Sequence, residues 1–245
     1  MRFAVLGPVQ AEQDDVLVEI RGTRRRTLLA ALLLHTGGVV PTDRLAEYLW
    51  GDKQPASVTS SLYNQVTRLR QALGAEGERV KAVPPGYLLQ VAPGELDVSV
   101  FEELCSAGRS ALATQEWDRA SDKYRAALDL WRGEPLADVP ALADHPLVGH
   151  LDEARLQAVH HRVQADMNLG RHGQLISEIR ALAAAHPLRE AFHAQLMLAL
   201  YRDGRQAERW RRTAPCAAQR RRNSAPSRQQ PCSSSTTRFS MPTPR

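Results

Sequence analysis

Residues 57–74, SVTSSLYNQVTRLRQALG, and residues 79–91, RVKAVPPGYLLQV, decide the fold. In the first stretch apolar side chains recur every three or four residues from Leu62 to Leu73, which predicts a helix with one buried face. In the second stretch two short β-type runs flank residues 84–86, Pro-Pro-Gly, which predicts a hairpin. A helix followed directly by a hairpin is typical of a winged helix.

The residues before this helix complete the same domain. Two short strand-like runs, residues 3–6 and 16–20, lead into residues 24–34. Residues 24–34 are apolar nearly all round, which predicts a buried helix. A second helix is expected from Thr42, its predicted N-cap, to about Gly51. The order of strands, three helices and a hairpin predicts a winged helix-turn-helix domain at residues 1–96.

From Val98 onward the pattern changes to one helix after another. Gly170 and Gly204 each follow an apolar helix end and lie 34 residues apart, the spacing of a tetratricopeptide-type helix pair. We therefore predict a mainly α protein with a small β part, in which residues 97–208 form a tetratricopeptide-like domain. The predicted helices of this part are residues 99–114, 116–131, 150–169, 172–186 and 189–203.

The net charge of +5 conceals an uneven distribution. Residues 1–95 carry 11 basic and 10 acidic side chains, residues 96–204 carry 11 and 16, and residues 205–245 carry 10 and one. The high isoelectric point is therefore no evidence that the folded part binds nucleic acid. There is no apolar run of about 18 residues and no signal peptide, so we expect a cytoplasmic protein without a membrane segment.

The polar face of helix 57–73 is the strongest functional signal. Hydroxyl, amide and guanidinium groups read base edges in the major groove, which a helix fits. A solvated face is the alternative for one amphipathic helix alone, but the hairpin that follows favours DNA binding. The predicted base-reading residues are Ser61, Asn64, Gln65 and Arg68. The predicted DNA-backbone contacts are Arg24, Arg25, Arg26, Ser57, Thr59, Ser60, Arg70, Arg79, Lys81 and Tyr87.

Little in the sequence points to catalysis. There is no G-x-x-x-x-G-K-[ST] phosphate loop and no G-x-S-x-G elbow. His160 and His161 are adjacent and so point to different sides of a helix, and the three distant cysteines form no zinc pattern. We expect no enzyme activity, no cofactor and no metal site. The alternative function is a protein-interaction adaptor, in which the helical repeats bind a partner and the winged helix does not read DNA.

Several stretches resemble the Streptomyces antibiotic regulatory protein family, whose larger members include the AfsR-type regulators. They are RFAVLGP at 2–8, LAEYLWG at 45–51, VTRLRQALG at 66–74, PPGYLL at 84–89 and HPLRE at 186–190, extended by QLMLALY at 195–201. The resemblance implies an OmpR-like winged helix, a bacterial transcriptional activation domain and activation of a secondary-metabolite (antibiotic) gene cluster. It further implies binding to direct repeats in double-stranded DNA near a promoter, contact with RNA polymerase, and a homodimer on DNA. No receiver or ATPase domain is expected, and hence no phosphorylation control in cis.

The last segment, residues 209–245, shows no hydrophobic period and is dominated by Arg, Ser, Pro, Gln and Thr. Such a composition predicts disorder. Read in a shifted frame, this segment can encode two motifs with which family members continue, Ala-Leu-Ala-x-Tyr-Arg and Glu-Leu-Gly-x-Glu-Pro. We therefore predict a frameshift near residues 207–209, natural or a sequencing error, with a natural basic tail as the alternative.

Overall fold

A computed structural model describes residues 1–204. The expected frameshift near residues 207–209 and the expected disorder of residues 209–245 lie outside the described residues. The mainly α architecture with two small sheets confirms the predicted fold class. The elements are β1 Arg2–Ala4, β2 Gln10–Gln13, β3 Val16–Leu17, α1 Thr23–Leu34, β4 Val40–Pro41, α2 Thr42–Trp50, α3 Val58–Ala72, β5 Val80–Val83, β6 Gly86–Leu89, α4 Asp97–Ala113, α5 Trp117–Asp129, α6 Pro146–Asn168, α7 His172–Ala185 and α8 Glu190–Arg202.

The first sheet is a three-stranded antiparallel meander in the order β1-β2-β3. Phe3 pairs with Ala11, and Glu12 pairs with Leu17. The sequence predicted β1 and β3 but not β2. Three of the four β2 residues are polar, and only Ala11 is buried, so the strand has no apolar alternation to detect.

The winged-helix core forms around α1. Six consecutive residues from Leu28 to Leu33 are buried, because α2, α3 and the second sheet, in the order β4-β6-β5, surround this helix. Gly86 lets β6 approach β4 closely, since a Cβ at this position would lie 1.9 Å from the carbonyl oxygen of Val40. The second sheet thereby ties the hairpin to the helices.

The prediction of Thr42 as an N-cap is wrong. The helix α2 already includes Thr42, and its N-cap is Pro41. The Thr42 hydroxyl instead donates a 3.0 Å hydrogen bond to the carbonyl oxygen of Pro85, and its backbone N–H donates to the same oxygen. Thr42 therefore attaches the start of α2 to the turn of the hairpin.

The second half contains the five predicted helices. The helices α4 and α5 pack together around Phe101 and Tyr124, while α7 and α8 pack together around Ile179 and Phe192. The 23-residue α6 contacts both pairs, with Val163 in the second cluster. This succession of packed helix pairs agrees with the predicted tetratricopeptide-like arrangement.

Contacts cross the predicted boundary between residues 96 and 97. The backbone N–H groups of Val5 and Leu6 donate to the Asp97 carboxylate, and Leu6 is buried in the cluster of α4 and α5. In return, apolar residues between α5 and α6 and at the start of α6 complete the core of the winged helix: Leu136, Val139, Leu142 and Val148. The boundary stays a prediction, and the two parts share much of their packing.

Candidate nucleic-acid interface

The orientation of α3 is fixed by its buried side. Leu62, Val66 and Leu69 are at most 1% exposed, and the helix packs on α1 and α2. Fully buried leucine and valine side chains contribute about 1.5–3 kcal/mol each, so the helix cannot rotate about its axis without a large loss of stability. The opposite face must therefore point outward.

The outward face carries the predicted base-reading residues. Asn64 and Arg68 are exposed, whereas Ser61 and Gln65 lie half-buried on the flank of the helix. Within residues 1–204, none of these four side chains takes part in a hydrogen bond or an ion pair. The helix also contains no acidic residue. Their donors and acceptors are therefore satisfied by solvent and remain available to a ligand.

The start of α3 presents additional polar groups. Ser57 is the N-cap, but its hydroxyl makes no capping bond and instead donates to the Ser60 hydroxyl at 3.0 Å. Thr59 and Ser60 are both exposed. The first N–H groups of a helix have no partner inside it, and together with the helix dipole they favour an anion such as a phosphate.

The hairpin formed by β5 and β6 takes the position of a wing. Lys81 pairs with Leu88, and Ala82 pairs with Tyr87. Lys81 and Tyr87 are half-buried, and neither side chain has a hydrogen-bond partner within the described chain. The tip, residues 83–85, is exposed and apolar. The wing thus offers one free ammonium and one phenol beside its apolar tip.

Three of the predicted DNA-backbone arginines are engaged in the fold itself. Arg26 donates to the carbonyl oxygen of Ile20 at 3.0 Å. Arg70 donates through two nitrogens to the carbonyl oxygen of Val80, at 3.0 and 2.6 Å. The third is Arg79, which is described next. The phosphate contacts predicted for these three arginines stay predictions, and each contact would compete with a bond inside the domain.

Arg79 is the most strongly engaged of the three. Its guanidinium forms ion pairs with Glu76 and Glu95. Burial alone would raise the pKa of Glu95, but hydrogen bonds from Arg79 and from the Ala92 N–H lower it to about 2. Glu95 also binds the N-terminal ammonium of Met1. The charge of Arg79 is therefore balanced locally, at the junction of the wing and β1.

The remaining predicted cations lie at the start of α1. Arg24 is exposed and Arg25 is half-buried, and neither has an acidic partner in the part of the chain that the structure describes. Unlike Arg79, they carry uncompensated charge. The structure therefore separates the predicted basic residues into a free group and a group used by the fold.

The structure adds candidates that the sequence prediction did not include. Tyr63 is 59% exposed on the first half of α3, and Gln71 is exposed one turn after Thr67 on the outward face. Lys53 is exposed in the loop before the helix. Placing residues at 100° intervals around the helix would have found Gln71 opposite the stripe, but the exposure of Tyr63 depends on what α1 and α2 leave uncovered.

The described residues offer neither a metal site nor a membrane-spanning helix. Within residues 1–204, no group of three or more His, Cys, Asp or Glu side chains is arranged to hold a metal ion. None of the helices in this range combines the length and the apolar character needed to cross a bilayer. The outward face of α3 is thus the principal candidate site.

Two family models match the chain. Residues 19–89 match the C-terminal domain of transcriptional regulatory proteins, and residues 96–211 match the bacterial transcriptional activator domain. The first match contains α1 to β6, and the second begins just before α4. The OmpR-like winged helix and the helical activation domain that the sequence predicted are both confirmed.

Curated relatives cover most of the chain. Over 209 residues the chain is 40% identical to the regulatory protein AfsR of Streptomyces coelicolor. The matched region is 85% of this chain but only 21% of AfsR. It is 38% identical to the regulatory protein DnrI of Streptomyces peucetius, covering 85% of this chain and 80% of DnrI. The chain thus spans about a fifth of AfsR and most of DnrI.

A solved structure has the same arrangement of elements. Mycobacterium tuberculosis EmbR, solved in complex with a low-affinity phosphopeptide, superposes with a TM-score of 0.85 at 29% identity. The superposition covers 91% of this chain and 60% of EmbR. These matches, with the winged helix and the helical domain in the same order, show that the chain belongs to the Streptomyces antibiotic regulatory protein family of transcriptional regulators.

Proposed function

We propose that this protein is a sequence-specific DNA-binding activator of a gene cluster for a secondary metabolite such as an antibiotic. The observation that carries the proposal is the outward face of α3, where Asn64 and Arg68 are exposed and have no partner in the described chain. Amide and guanidinium groups form bidentate bonds with adenine and guanine edges. The names of the relatives, which are regulatory proteins, agree with this function.

In this proposal the polar residues divide into two roles. Ser61, Asn64 and Arg68 read base edges, with Gln65 at the flank. Phosphate contacts, which position a protein without reading sequence, come from free groups around the helix. These groups are Arg24, Arg25, Ser57, Thr59, Ser60, Lys81 and Tyr87. Arg26, Arg70 and Arg79 mainly hold the domain together.

The helical domain supplies the activating function. We propose that it contacts RNA polymerase and that two copies of the chain occupy direct repeats near the promoter as a homodimer. We propose no enzyme activity for the chain.

The domain boundary between residues 96 and 97 is also part of this proposal. We propose it as a division of function and not of packing, because Leu6 and Leu142 each lie in the core of the other part.

Salt dependence of DNA binding tests the proposal. The measurement is the affinity of the full chain for fragments selected from the genome of its source, between 50 and 200 mM salt. A protein that neutralises several phosphates shows a log–log slope of about −0.9 for each of them. A steep slope together with a preference of at least about a thousandfold for selected fragments over random DNA is expected. Equal, weak binding to both would favour the adaptor instead.

A further inference from the structure

A groove lies at the junction of the two halves of the molecule. One side is formed by His35, which follows α1, and by residues 44 and 47–51 along α2. The other side is formed by residues 141, 142 and 144–146, just before and at the start of α6. This groove, called here the junction groove, has a volume of about 810 Å³. Pockets for small molecules usually have volumes of about 300–1,000 Å³ and often lie where two parts of a protein meet, and the junction groove meets both conditions.

The aromatic rings of the junction groove remain accessible. His35, Tyr48, Trp50 and His145 all line the groove, and each is half-buried rather than enclosed. Three of them form a cluster, in which the ring of His145 packs edge-on against the rings of His35 and Tyr48, with centroids 5.5 and 5.7 Å apart. A molecule in the groove can therefore contact these rings directly.

The hydrogen bonds of His145 determine where the proton of the Tyr48 hydroxyl points. The Nδ1 atom of His145 accepts the Leu147 N–H at 3.3 Å, so the neutral ring carries its proton on Nε2. Burial, followed by the charges of His35 and Arg44, lowers the pKa of His145 and keeps the ring neutral at neutral pH. Its Nε2–H therefore donates to the Tyr48 oxygen at 3.0 Å. The Tyr48 O–H is left to donate elsewhere, and it has no acceptor among residues 1–204.

His35 presents the complementary group. Its Nδ1 lies 2.9 Å from the carbonyl oxygen of Ala31, and since a carbonyl oxygen only accepts, Nδ1 carries the proton. In the neutral ring Nε2 is then an acceptor. Within the described chain no group donates to this nitrogen, and the protein does not enclose it. The rings of His35 and Tyr48 are neighbours, with centroids 6.4 Å apart, so the groove offers one free acceptor beside one free donor.

The charges at the rim favour a neutral ligand. Arg44 and Glu47 form a 3.6 Å ion pair and are 57% and 65% exposed, while Asp144 is exposed and has no cationic partner in the described chain. The rim therefore has one negative charge in excess, which disfavours an anion. An ammonium group could donate to His35 but could not accept from Tyr48, and a carboxylate could only accept. A hydroxyl does both with one oxygen atom.

We propose that the junction groove binds a neutral hydroxylated aromatic compound, of the phenol or naphthol class, whose hydroxyl accepts from the Tyr48 O–H and donates to His35 Nε2. The aromatic part of the ligand lies along Trp50 and Pro146. Such a ligand completes the hydrogen bonds of two groups that the fold leaves open, and it contacts both α2 and the start of α6. The site goes beyond DNA binding and does not rest on it, because none of these residues belongs to α3 or the wing.

Equilibrium dialysis of the full chain with a matched pair of probes tests the proposal. The first probe, 2-naphthol, can donate and accept, whereas 2-methoxynaphthalene has the same rings and an oxygen that can only accept. We expect saturable binding of one 2-naphthol per chain. Its Kd should be about threefold to tenfold lower than that of the methyl ether, as for one hydrogen bond.

Two substitutions separate the acceptor from the donor. His35→Phe removes the acceptor but keeps a ring, so it should bring the Kd values of the two probes within about twofold of each other. Tyr48→Phe removes the donor that serves both probes, so it should weaken both and preserve their ratio. A change in packing alone would shift both probes together, so the ratio of the two Kd values in His35→Phe is the decisive measurement.

A blocking substitution keeps the test independent of these hydrogen bonds. Ala141→Phe places a ring in the groove, whereas Ala143→Phe adds the same ring at an exposed position that does not line it. Ala141→Phe should abolish binding of both probes and Ala143→Phe should leave it intact, with circular dichroism to check that each variant is folded. Absence of saturable binding to the unmodified chain, an unchanged ratio of Kd values in His35→Phe, or equal affinities of the unmodified and Ala141→Phe chains would overturn the proposal.

Discussion

Two arginine sites, one in each half of the molecule, use their positive charge in opposite ways. In the helical domain Arg125, Arg162 and Arg171 converge on the fully buried carboxylate of Asp166, at 2.8 to 3.3 Å. On α3 of the winged helix, Arg68 is exposed and meets no carboxylate in the described chain. The first arrangement uses the charges for the fold, whereas the second leaves a charge for a ligand. Charge count alone therefore says little about DNA binding.

The Asp166 cluster stabilises the fold, whereas the unpaired Arg68 contributes no ion pair to it. Burial alone would raise the pKa of Asp166, but hydrogen bonds from Ser121 and the arginines outweigh this effect and lower it. The cluster joins α5 to α6, since Ser121 donates to Asp166 at 2.8 Å from 45 residues away. Its removal should damage the fold without touching the face of α3.

The largest effect is therefore expected from Asp166→Asn. This change keeps the shape but removes the buried negative charge that the three arginines share, and it leaves Arg162 and Arg171 only their more exposed partners, Glu178 and Asp118. We expect a loss of about 2–4 kcal/mol in the free energy of unfolding, measured by urea denaturation. Asp118→Asn is the matched control, because Asp118 also pairs with Arg171 but is 76% exposed, and its loss should cost less than about 1 kcal/mol. Equal costs would contradict the claim that the buried Asp166 carboxylate, rather than ion pairing in general, stabilises the helical domain.

A second test concerns how far the two halves are separable. Leu142 belongs to the activation-domain part of the sequence but is 1% exposed in the core of the winged helix. Leu142→Ala should cost about 2–4 kcal/mol in unfolding, the usual cost of such a cavity, whereas Leu147→Ala, at a 38% exposed position, should cost much less.

The same contacts predict the behaviour of a fragment. Residues 1–96 alone would lack the four apolar residues that complete their core, so this fragment should be less stable than the same domain in the full chain. A fragment as stable as the full chain, by hydrogen exchange at α1, would show that the contacts across residues 96 and 97 contribute nothing.

Much of the architecture could be predicted because it is encoded locally. The period of α3 and the five later helices follow from apolar spacing, and the structure places their ends within about four residues of the predicted ones. The strand β2 could not be predicted, because its residues are polar. The packing of Leu142 on the winged helix could not either, because a pattern read along the chain does not show which distant core an apolar side chain enters.

For the candidate site, too, the sequence predicts the local pattern but not the tertiary contacts. Asn64 and Arg68 lie on the side of α3 opposite the apolar stripe that begins at Leu62, and both are exposed, as the helical period predicts. The pairing of Arg79 with Glu95 and the bond from Arg70 to Val80 were not predictable, because each joins residues 10 or 16 positions apart through the tertiary fold. Sequence therefore finds polar residues on a surface, but structure is needed to tell which of them are free.

The smallest expected effect is a pH dependence at the junction of the two halves. His145 bonds to the Tyr48 hydroxyl at 3.0 Å and caps α6 by accepting the Leu147 N–H. Burial, then the charges of His35 and Arg44, lowers the pKa of His145. The unfolded chain therefore takes up a proton first, so stability is complete above about pH 6.5 and falls as pH drops below it.

His145→Asn isolates this contribution. An asparagine can still accept at the N-cap but cannot be protonated. The decrease in melting temperature from pH 7 to pH 5 should be smaller in this variant than in the unmodified chain, where His160 and His161, whose pKa values burial also lowers, continue to contribute. Parallel curves for the two proteins would rule out protonation of His145 as a source of the acid sensitivity.

The central claim is that the free polar face of α3 reads DNA sequence, and Arg68 and Arg70 allow the most direct test. They lie two residues apart on one helix, but Arg70 is bonded to Val80, whereas Arg68 has no partner among residues 1–204. The measurement is the affinity of Arg68→Ala and Arg70→Ala proteins for a selected site and for random DNA. We predict that Arg68→Ala loses about 1–3 kcal/mol on the selected site and little on random DNA, whereas Arg70→Ala lowers stability and leaves the preference intact. Equal losses on both DNAs for Arg68→Ala would contradict the account.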